Sequence, residues 1–199
     1  MTISSSPQPA LPLRERKRLR AMKQVQRVAV ERFTNHGFDG VTVEQIAADA
    51  DVSPVSVYRW FGTKEALVVW DEFDPPILDA VSTRLTQGHP PLAAVRAALV
   101  TLLDAVYNAE RDLALARTQL TFREPALLAA ATANTRGLRT ALTSLFAAHG
   151  GLSATRARSA ATVATALLES AIDAWQHEDG QRPLAQLISE AFDALEHLT

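Results

Sequence analysis

The chain has 199 residues and no cysteine, with 47% hydrophobic and 21% charged residues, which is an ordinary globular composition. The lack of cysteine excludes disulfides, thiolate metal sites and cysteine nucleophiles, and it suits the reducing cytoplasm. The sequence contains no apolar leader and no run of about 18 uncharged apolar residues. We therefore expect a cytoplasmic protein that makes no membrane contact.

Charge is unevenly distributed along the chain, although the net charge is only −2. Residues 1–65 contain ten basic and seven acidic side chains, whereas residues 66–199 contain ten basic and fifteen acidic ones. A basic head on an acidic body predicts a polyanionic partner for the head alone. A charged first helix that is simply solvated would give the same pattern, and this alternative stays open.

Apolar residues recur at spacings of three and four, and strand-like alternation is nearly absent, so we predict an all-α protein. Residues 1–13 contain three prolines and are interpreted as a disordered tail. The later prolines each stand where a helix can begin, because a missing N–H costs least there. The predicted helices are 14–36, 43–50, 54–61, one from Lys64, 75–87, 91–109, 111–121, 125–149, 153–178 and 183–197.

The most informative feature is a pair of short helices separated by a three-residue turn at 51–53. Thr42 precedes the first helix and Gln45 follows three residues later, which is the spacing of a capping box. Ser53 can cap the second helix, and Pro54 fits its first position. Helix, tight turn and helix at this spacing predict a helix-turn-helix whose second helix enters the major groove of DNA.

The second helix should expose one face to DNA, because Val57 and Phe61 lie four residues apart and are expected in the core. Arg59 can pair bidentately with guanine, and Val55 can pack on a thymine methyl group. Hydroxyl, indole and ammonium groups can donate to phosphates, with Lys64 expected at the start of the next helix. The predicted DNA-contacting residues are Arg14, Arg18, Thr42, Ser53, Pro54, Val55, Ser56, Tyr58, Arg59, Trp60 and Lys64. Alternatively, Tyr58 and Trp60 only complete a small core.

This segment resembles the DNA-binding domain of TetR-family transcriptional regulators. The matching residues are Thr42, Ile46, Ala47, Val52, Ser53, Tyr58, Trp60, Phe61, Lys64, Glu65 and Leu67. The resemblance implies an all-α homodimer with a three-helix DNA reader at 14–65 and a larger ligand and dimerisation domain at 66–199. It also implies that the last two long helices pair across a two-fold axis. Asp51 stands where the family usually has glycine, and we expect a small strain cost there because aspartate tolerates the left-handed region.

The C-terminal sequence contains the segments VVWDEFDPPILDAV, PPLAAVRAAL, RTQLTFREPALLAA and WQHEDG. With these segments it resembles the acyl-CoA-binding domains of the mycofactocin-regulator branch of that family. An effector pocket should be apolar with a few polar anchors. Candidate lining residues are Phe73, Leu115, Phe122, Leu142, Phe146 and Trp175, and candidate anchors for a carboxylate or phosphate are Arg117 and Arg123. Each of the apolar residues fits an ordinary core better than a pocket lining, and either arginine would equally fit a surface salt bridge.

Enzymatic and metal-binding functions have little support. The five histidines include no pair spaced three to five residues apart, and no glycine motif that cradles phosphate is present, so we expect no metal, no cofactor and no catalytic residues. The sequence thus predicts a ligand-responsive repressor that binds a palindromic DNA operator as a dimer and is released by a small apolar or acyl-CoA-like effector. The alternative is a helical interaction module whose basic first helix binds an acidic partner.

Overall fold

The computed structural model describes residues 12–71 and 74–197, apart from the side chains of residues 74, 104–109 and 196–197. These ranges are helical and contain no strand, which confirms the all-α prediction. Residues 1–11 of the predicted tail and the predicted ligand residue Phe73 lie outside the described residues. The helices are α1 (Leu13–His36), α2 (Val43–Asp49), α3 (Pro54–Phe61), α4 (Ala66–Val69), α5 (Asp74–Thr86), α6 (Pro91–Ala109), α7 (Arg111–Arg123), α8 (Pro125–His149), α9 (Ala154–His177) and α10 (Leu184–His197).

Proline and glycine set many of the helix ends. Helices α3, α6 and α8 begin at a proline and keep their predicted bounds, because proline fixes a helical φ and its missing N–H is not needed in the first turn. Gly37 ends α1 with a φ of 77°, and its N–H donates to the carbonyl of Phe33 at 3.0 Å. Helix α4 begins at Ala66, later than predicted, and the Thr63 hydroxyl accepts from the N–H of Ala66 at 3.2 Å.

The chain divides into two compact units, Met1–Leu67 and Val68–Thr199, close to the predicted boundary between residues 65 and 66. In the first unit, α1, α2 and α3 pack on one another. Val25, Phe33 and Ile46 are almost wholly buried there. Arg32 on α1 pairs with Asp49 at the end of α2.

The second unit packs α6 against α5 and α10, and α9 against α8 and α10. Four alanines of α9 are buried, and their small side chains allow the neighbouring helices to approach closely: Ala157, Ala161, Ala164 and Ala171. Arg96 on α6 pairs with Asp193 on α10 at 2.6 Å. None of the described helices combines the length and the apolar composition that crossing a bilayer requires.

Candidate nucleic-acid interface and effector cavity

The first short helix of the reader, α2, begins with a complete capping box. The Thr42 hydroxyl accepts from the N–H of Gln45 at 3.3 Å, and the Gln45 side chain accepts from the N–H of Thr42 at 2.9 Å. Two backbone donors that the helix itself cannot satisfy are therefore paired. Val43 and Ile46 face inward from this fixed start.

The turn before α3 holds the second helix in a defined position. Asp51 has a φ of 54°, so the expected left-handed conformation is present. The N–H of Val52 donates to the carbonyl of Ala47 at 3.0 Å. The Ser53 hydroxyl accepts from the N–H of Ser56 at 3.2 Å, and Pro54 occupies the first helical position. Caps at both short helices make the turn rigid and orient α3.

Helix α3 buries one side and exposes the other. Val57 is 1% exposed, whereas Val55 is 74% exposed and Arg59 is exposed. Phe61 is half-buried rather than fully in the core as expected, and Trp60 is half-buried as well. An apolar side chain as exposed as Val55 gains free energy when a partner surface covers it. Val55, Tyr58 and Arg59 are exposed on the outward side of α3, with the half-buried Pro54 and Ser56 beside them, and these five residues form its outward strip.

Tyr58 has a protein partner across the two short helices. Its hydroxyl donates to Glu44 Oε1 at 3.3 Å, and its side chain is 46% exposed. Partial loss of hydration and the Glu44 carboxylate raise the pKa of Tyr58. A hydrogen bond from its own backbone N–H lowers the pKa of Glu44, with further bonds from Thr42 and Tyr58. The Tyr58 hydroxyl therefore stays protonated and able to donate.

Lys64 has a different environment from the expected one. It precedes α4 by two residues, and its ammonium donates to the carbonyl oxygen of Phe38 at 2.5 Å. The same ammonium lies 4.5 Å from the centroid of the Phe38 ring and 5.4 Å from that of Phe33. These contacts hold a half-buried cation inside the first unit, in the turn that leads into α4.

The basic start of α1 is open to solvent. Arg14 and Arg18 are exposed, and Arg18 pairs with Glu15 at 3.0 Å. An exposed pair between residues three apart on a helix contributes little stability, so Arg18 can exchange Glu15 for another anion.

The second unit contains a cavity of about 720 Å³ between α7, α8, α9 and the segment 68–71. Two predicted ligand residues, Arg117 and Phe122, line it. Phe122 and Leu128 are 39% and 42% exposed, and both border this cavity. They are the exposed large apolar side chains among the described residues of this unit.

The other predicted ligand residues lie elsewhere. Leu142, Phe146 and Trp175 are at most 2% exposed, belong to the hydrophobic core, and do not line this cavity. Trp175 borders a smaller cavity of about 100 Å³ instead. Leu115 packs half-buried against the core, and Arg123 is exposed on the last turn of α7 without lining the cavity.

Sequence reasoning missed most of the polar cavity wall. Asn134 on α8 donates to the carbonyl of Val69 at 3.0 Å, and Arg117 on α7 donates to that of Trp70 at 3.4 Å. Asp71 lies 4.0 Å from the Arg117 guanidinium. The remaining polar lining residues are Thr118, Thr121, Thr132, Thr135, Glu169, Ser170 and Asp173. Threonines spaced three apart on α7 and again on α8 were the available sequence signal.

Comparisons with known proteins agree with both units. The family model described as MftR C-terminal domain matches residues 89–198, more than half of the chain. The model described as Bacterial regulatory proteins, tetR family, matches residues 27–69. The HTH-type transcriptional regulator TcmR of Streptomyces glaucescens is 33% identical over 70% of this chain, and the match spans 65% of TcmR, slightly under two thirds of its length.

A second relative and two solved structures extend the comparison. MftR of Mycobacterium tuberculosis, named as a regulator of mycofactocin biosynthesis, is 26% identical over 90% of this chain and 91% of its own. FadR of Bacillus subtilis, in complex with stearoyl-CoA, has a TM-score of 0.57 at 17% identity, covering 87% of this chain and 96% of FadR. FadR of Bacillus halodurans has a TM-score of 0.53 at 20% identity, covering 88% and 94%. At these identities the structures establish the fold alone.

The matched ranges contain the capped helix pair α2 and α3 and nearly all of the helices that enclose the cavity. The chain belongs to the TetR family of bacterial transcriptional regulators, with a helix-turn-helix DNA-binding domain and an MftR-type C-terminal domain.

Proposed function

We propose that this chain is a repressor that binds a palindromic operator as a dimer and leaves it when a small, largely apolar or acyl-CoA-like effector occupies the cavity. It would act in the cytoplasm, where its DNA is. The two DNA half-sites bound by the two copies would lie one helical turn of DNA apart, about 34–36 Å, or a whole multiple of it, as for other helix-turn-helix dimers.

The outward strip of α3 is the observation that carries the DNA-binding part. Arg59 offers the paired donors that guanine accepts in the major groove, and Val55 offers an uncovered apolar surface for a thymine methyl group. Tyr58 adds a hydroxyl that would donate to phosphate by exchanging its present partner, Glu44, for the DNA. The two caps support this assignment because they fix the angle at which the strip is presented.

The cavity supports the effector-binding part. Its volume falls within the usual range for small-molecule sites, roughly 300–1,000 Å³. Phe122 and Leu128 leave apolar surface uncovered at its edge, which a ligand would remove from water. An effector that binds the released conformation better than the DNA-bound one shifts the population away from the operator.

The dimer is assigned to α9 and α10. Both helices carry partly buried apolar side chains beyond those of the core, among them Ala160, Leu167, Ala174 and Ala191. The small side chains of the three alanines let helices of two copies approach closely.

A footprint of the purified protein on the DNA upstream of its own gene tests the proposal. We expect protection of a palindrome, with loss of protection when an effector is added. The Arg59→Ala variant should need a higher protein concentration for the same protection, whereas Arg136→Ala, which removes an exposed arginine from α8, should give the unchanged footprint. Equal affinity for every duplex would instead favour the helical interaction module.

A further inference from the structure

The threonines that line the cavity present acceptors rather than donors to a ligand. Each hydroxyl hydrogen is already donated to a carbonyl oxygen four residues earlier in the same helix, at distances of 2.8 to 3.3 Å. What each oxygen keeps for a ligand is its lone pairs. The residues concerned are Thr118, Thr121, Thr132 and Thr135.

The strong donors of the cavity are also engaged. Asn134 Nδ2 donates to the carbonyl of Val69 at 3.0 Å. Arg117, whose side chain is 17% exposed, faces the carbonyl of Trp70 and the carboxylate of Asp71. Arg117 is the one cationic side chain among the described residues that line the cavity, so a phosphate group would find a single cation there, already shared with Trp70 and Asp71.

Three carboxylates complete the wall. Asp71 lies 4.0 Å from the Arg117 guanidinium, whereas Glu169 and Asp173 stand one turn apart on α9. Asp173 accepts from Gln176 at 3.3 Å and lies 3.3 Å from His177 Nδ1, both on its own helix. Carboxylates thus outnumber cationic side chains among the described lining residues, which makes this side of the cavity negative.

We propose that the effector is a largely apolar molecule that carries a protonated amine, and not an acyl-CoA; this inference rests on the proposed effector-binding function. The ammonium would lie against Glu169 and Asp173 and donate to the threonine oxygens, while the apolar body covers Phe122 and Leu128. A carboxylate or phosphate in the same place would meet like charge and acceptors without hydrogen, which costs free energy on both counts.

Binding of four probes to the full-length protein tests this inference: dodecylamine, 1-dodecanol, dodecanoate and lauroyl-CoA, each below its micelle-forming concentration. The first three share one chain length and differ in the head group. We expect dodecylamine to bind at least about tenfold more tightly than dodecanoate or lauroyl-CoA, with dodecanol between them. Tighter or equal binding of either anionic probe overturns the proposal, and so does a failure of dodecylamine to bind.

Variants that remove a negative charge show which carboxylates cause the preference for the amine. The double variant Glu169→Gln, Asp173→Asn keeps the shape of both side chains and should lose most of the preference for the amine. Asp112→Asn on α7, whose side chain is 96% exposed and does not line the cavity, should keep it. An unchanged preference in the double variant, with an unchanged melting temperature, overturns the assignment to these carboxylates.

Release of the protein from DNA distinguishes the amine assignment from the proposed regulatory function on which it rests. If lauroyl-CoA, and not dodecylamine, removes the protein from its operator, the amine assignment fails while the ligand-responsive regulator stands. If no operator is bound at all, the proposed function fails independently of the probes.

Discussion

The ammonium of Lys64 and the ring and carbonyl of Phe38 form one contact, in which the cation donates to the carbonyl oxygen at 2.5 Å and lies 4.5 Å from the ring centroid. This contact joins the segment before α4 to the loop between α1 and α2. It gives a basic side chain of the DNA-binding unit a structural role within the protein itself.

Lys64→Met should therefore destabilise the protein by about 1–2 kcal/mol, because it keeps the aliphatic stem but removes the charged donor and the cation–π contact. Urea denaturation measures the change, with Lys17→Met, which removes an exposed lysine of α1, as the control. A normal stability combined with a flatter salt dependence of DNA binding would contradict this role and assign Lys64 to the phosphate contacts.

Asp51 lies in the left-handed region with a φ of 54°, where glycine has no steric cost. We expect Asp51→Gly to be neutral or to stabilise by up to about 1 kcal/mol, and Asp51→Ala to destabilise by a similar amount, because alanine lacks the local hydrogen bonding that helps aspartate there. Thermal denaturation of both variants decides the matter. An alanine variant as stable as the glycine variant would show that the turn does not require this conformation.

Arg59 is expected to read one base pair. Arg59→Ala should reduce discrimination at that position by about 1–3 kcal/mol while leaving discrimination elsewhere intact. Affinities for the operator and for a set of singly substituted duplexes, measured at one salt concentration, give the answer. A uniform loss for all of the duplexes would place Arg59 on the phosphate backbone instead.

Glu44 places a negative charge beside the Tyr58 hydroxyl, which we propose as a donor to a DNA phosphate. Glu44→Gln should strengthen binding to all duplexes alike, because the amide still accepts from Tyr58 but no longer repels DNA. Tyr58→Phe should weaken binding to all duplexes by about 0.5–1.5 kcal/mol. Titrations against specific and random DNA measure both effects, and a sequence-dependent change in either variant would argue for base contacts.

Acid should weaken the ion pairs around Arg182. This guanidinium donates to Glu178 at 2.8 Å and to Glu190 at 2.7 Å. The hydrogen bond from Arg182 lowers the pKa of Glu178, and bonds from Gln186 and then Arg182 lower the pKa of Glu190. Both pKa values are lower in the folded state, so their contribution to stability is present above the ordinary value of 4.5 and is lost as pH falls below it.

Arg182→Gln should accordingly lower the melting temperature more at about pH 7 than at about pH 3.5, and the difference should shrink in high salt because the pairs are exposed. Melting curves of the two proteins at both pH values provide the measurement. An equal effect at both values would mean that Arg182 stabilises through packing of its stem rather than through its charge.

The helices were predictable because local chemistry marks their ends. Pro54, Pro91 and Pro125 begin helices at the predicted positions, and Gly37 ends one. The left-handed turn at Asp51 was likewise anticipated from the residue type, which tolerates that conformation.

The cavity was much harder to predict. Helical periodicity shows that Leu142 and Phe146 are turned inward, but it cannot tell a filled core from a space between diverging helices. The sequence also does not show that Thr132 and Thr135 line the cavity. Polar residues on a helix look the same in sequence whether they face a cavity or bulk solvent. Packing between distant segments, and not local pattern, decides which side chains border the cavity.

The alanine face of α9 and the threonine-lined wall differ in how much evolutionary change they can absorb. A larger residue at Ala161 or Ala164 would force packed helices apart, so these positions are constrained by folding. Thr132 and Thr135 border open space, so new side chains there have room without disturbing the core. Descendants of this protein could therefore acquire responses to different chemicals through the cavity wall while inheriting the same scaffold.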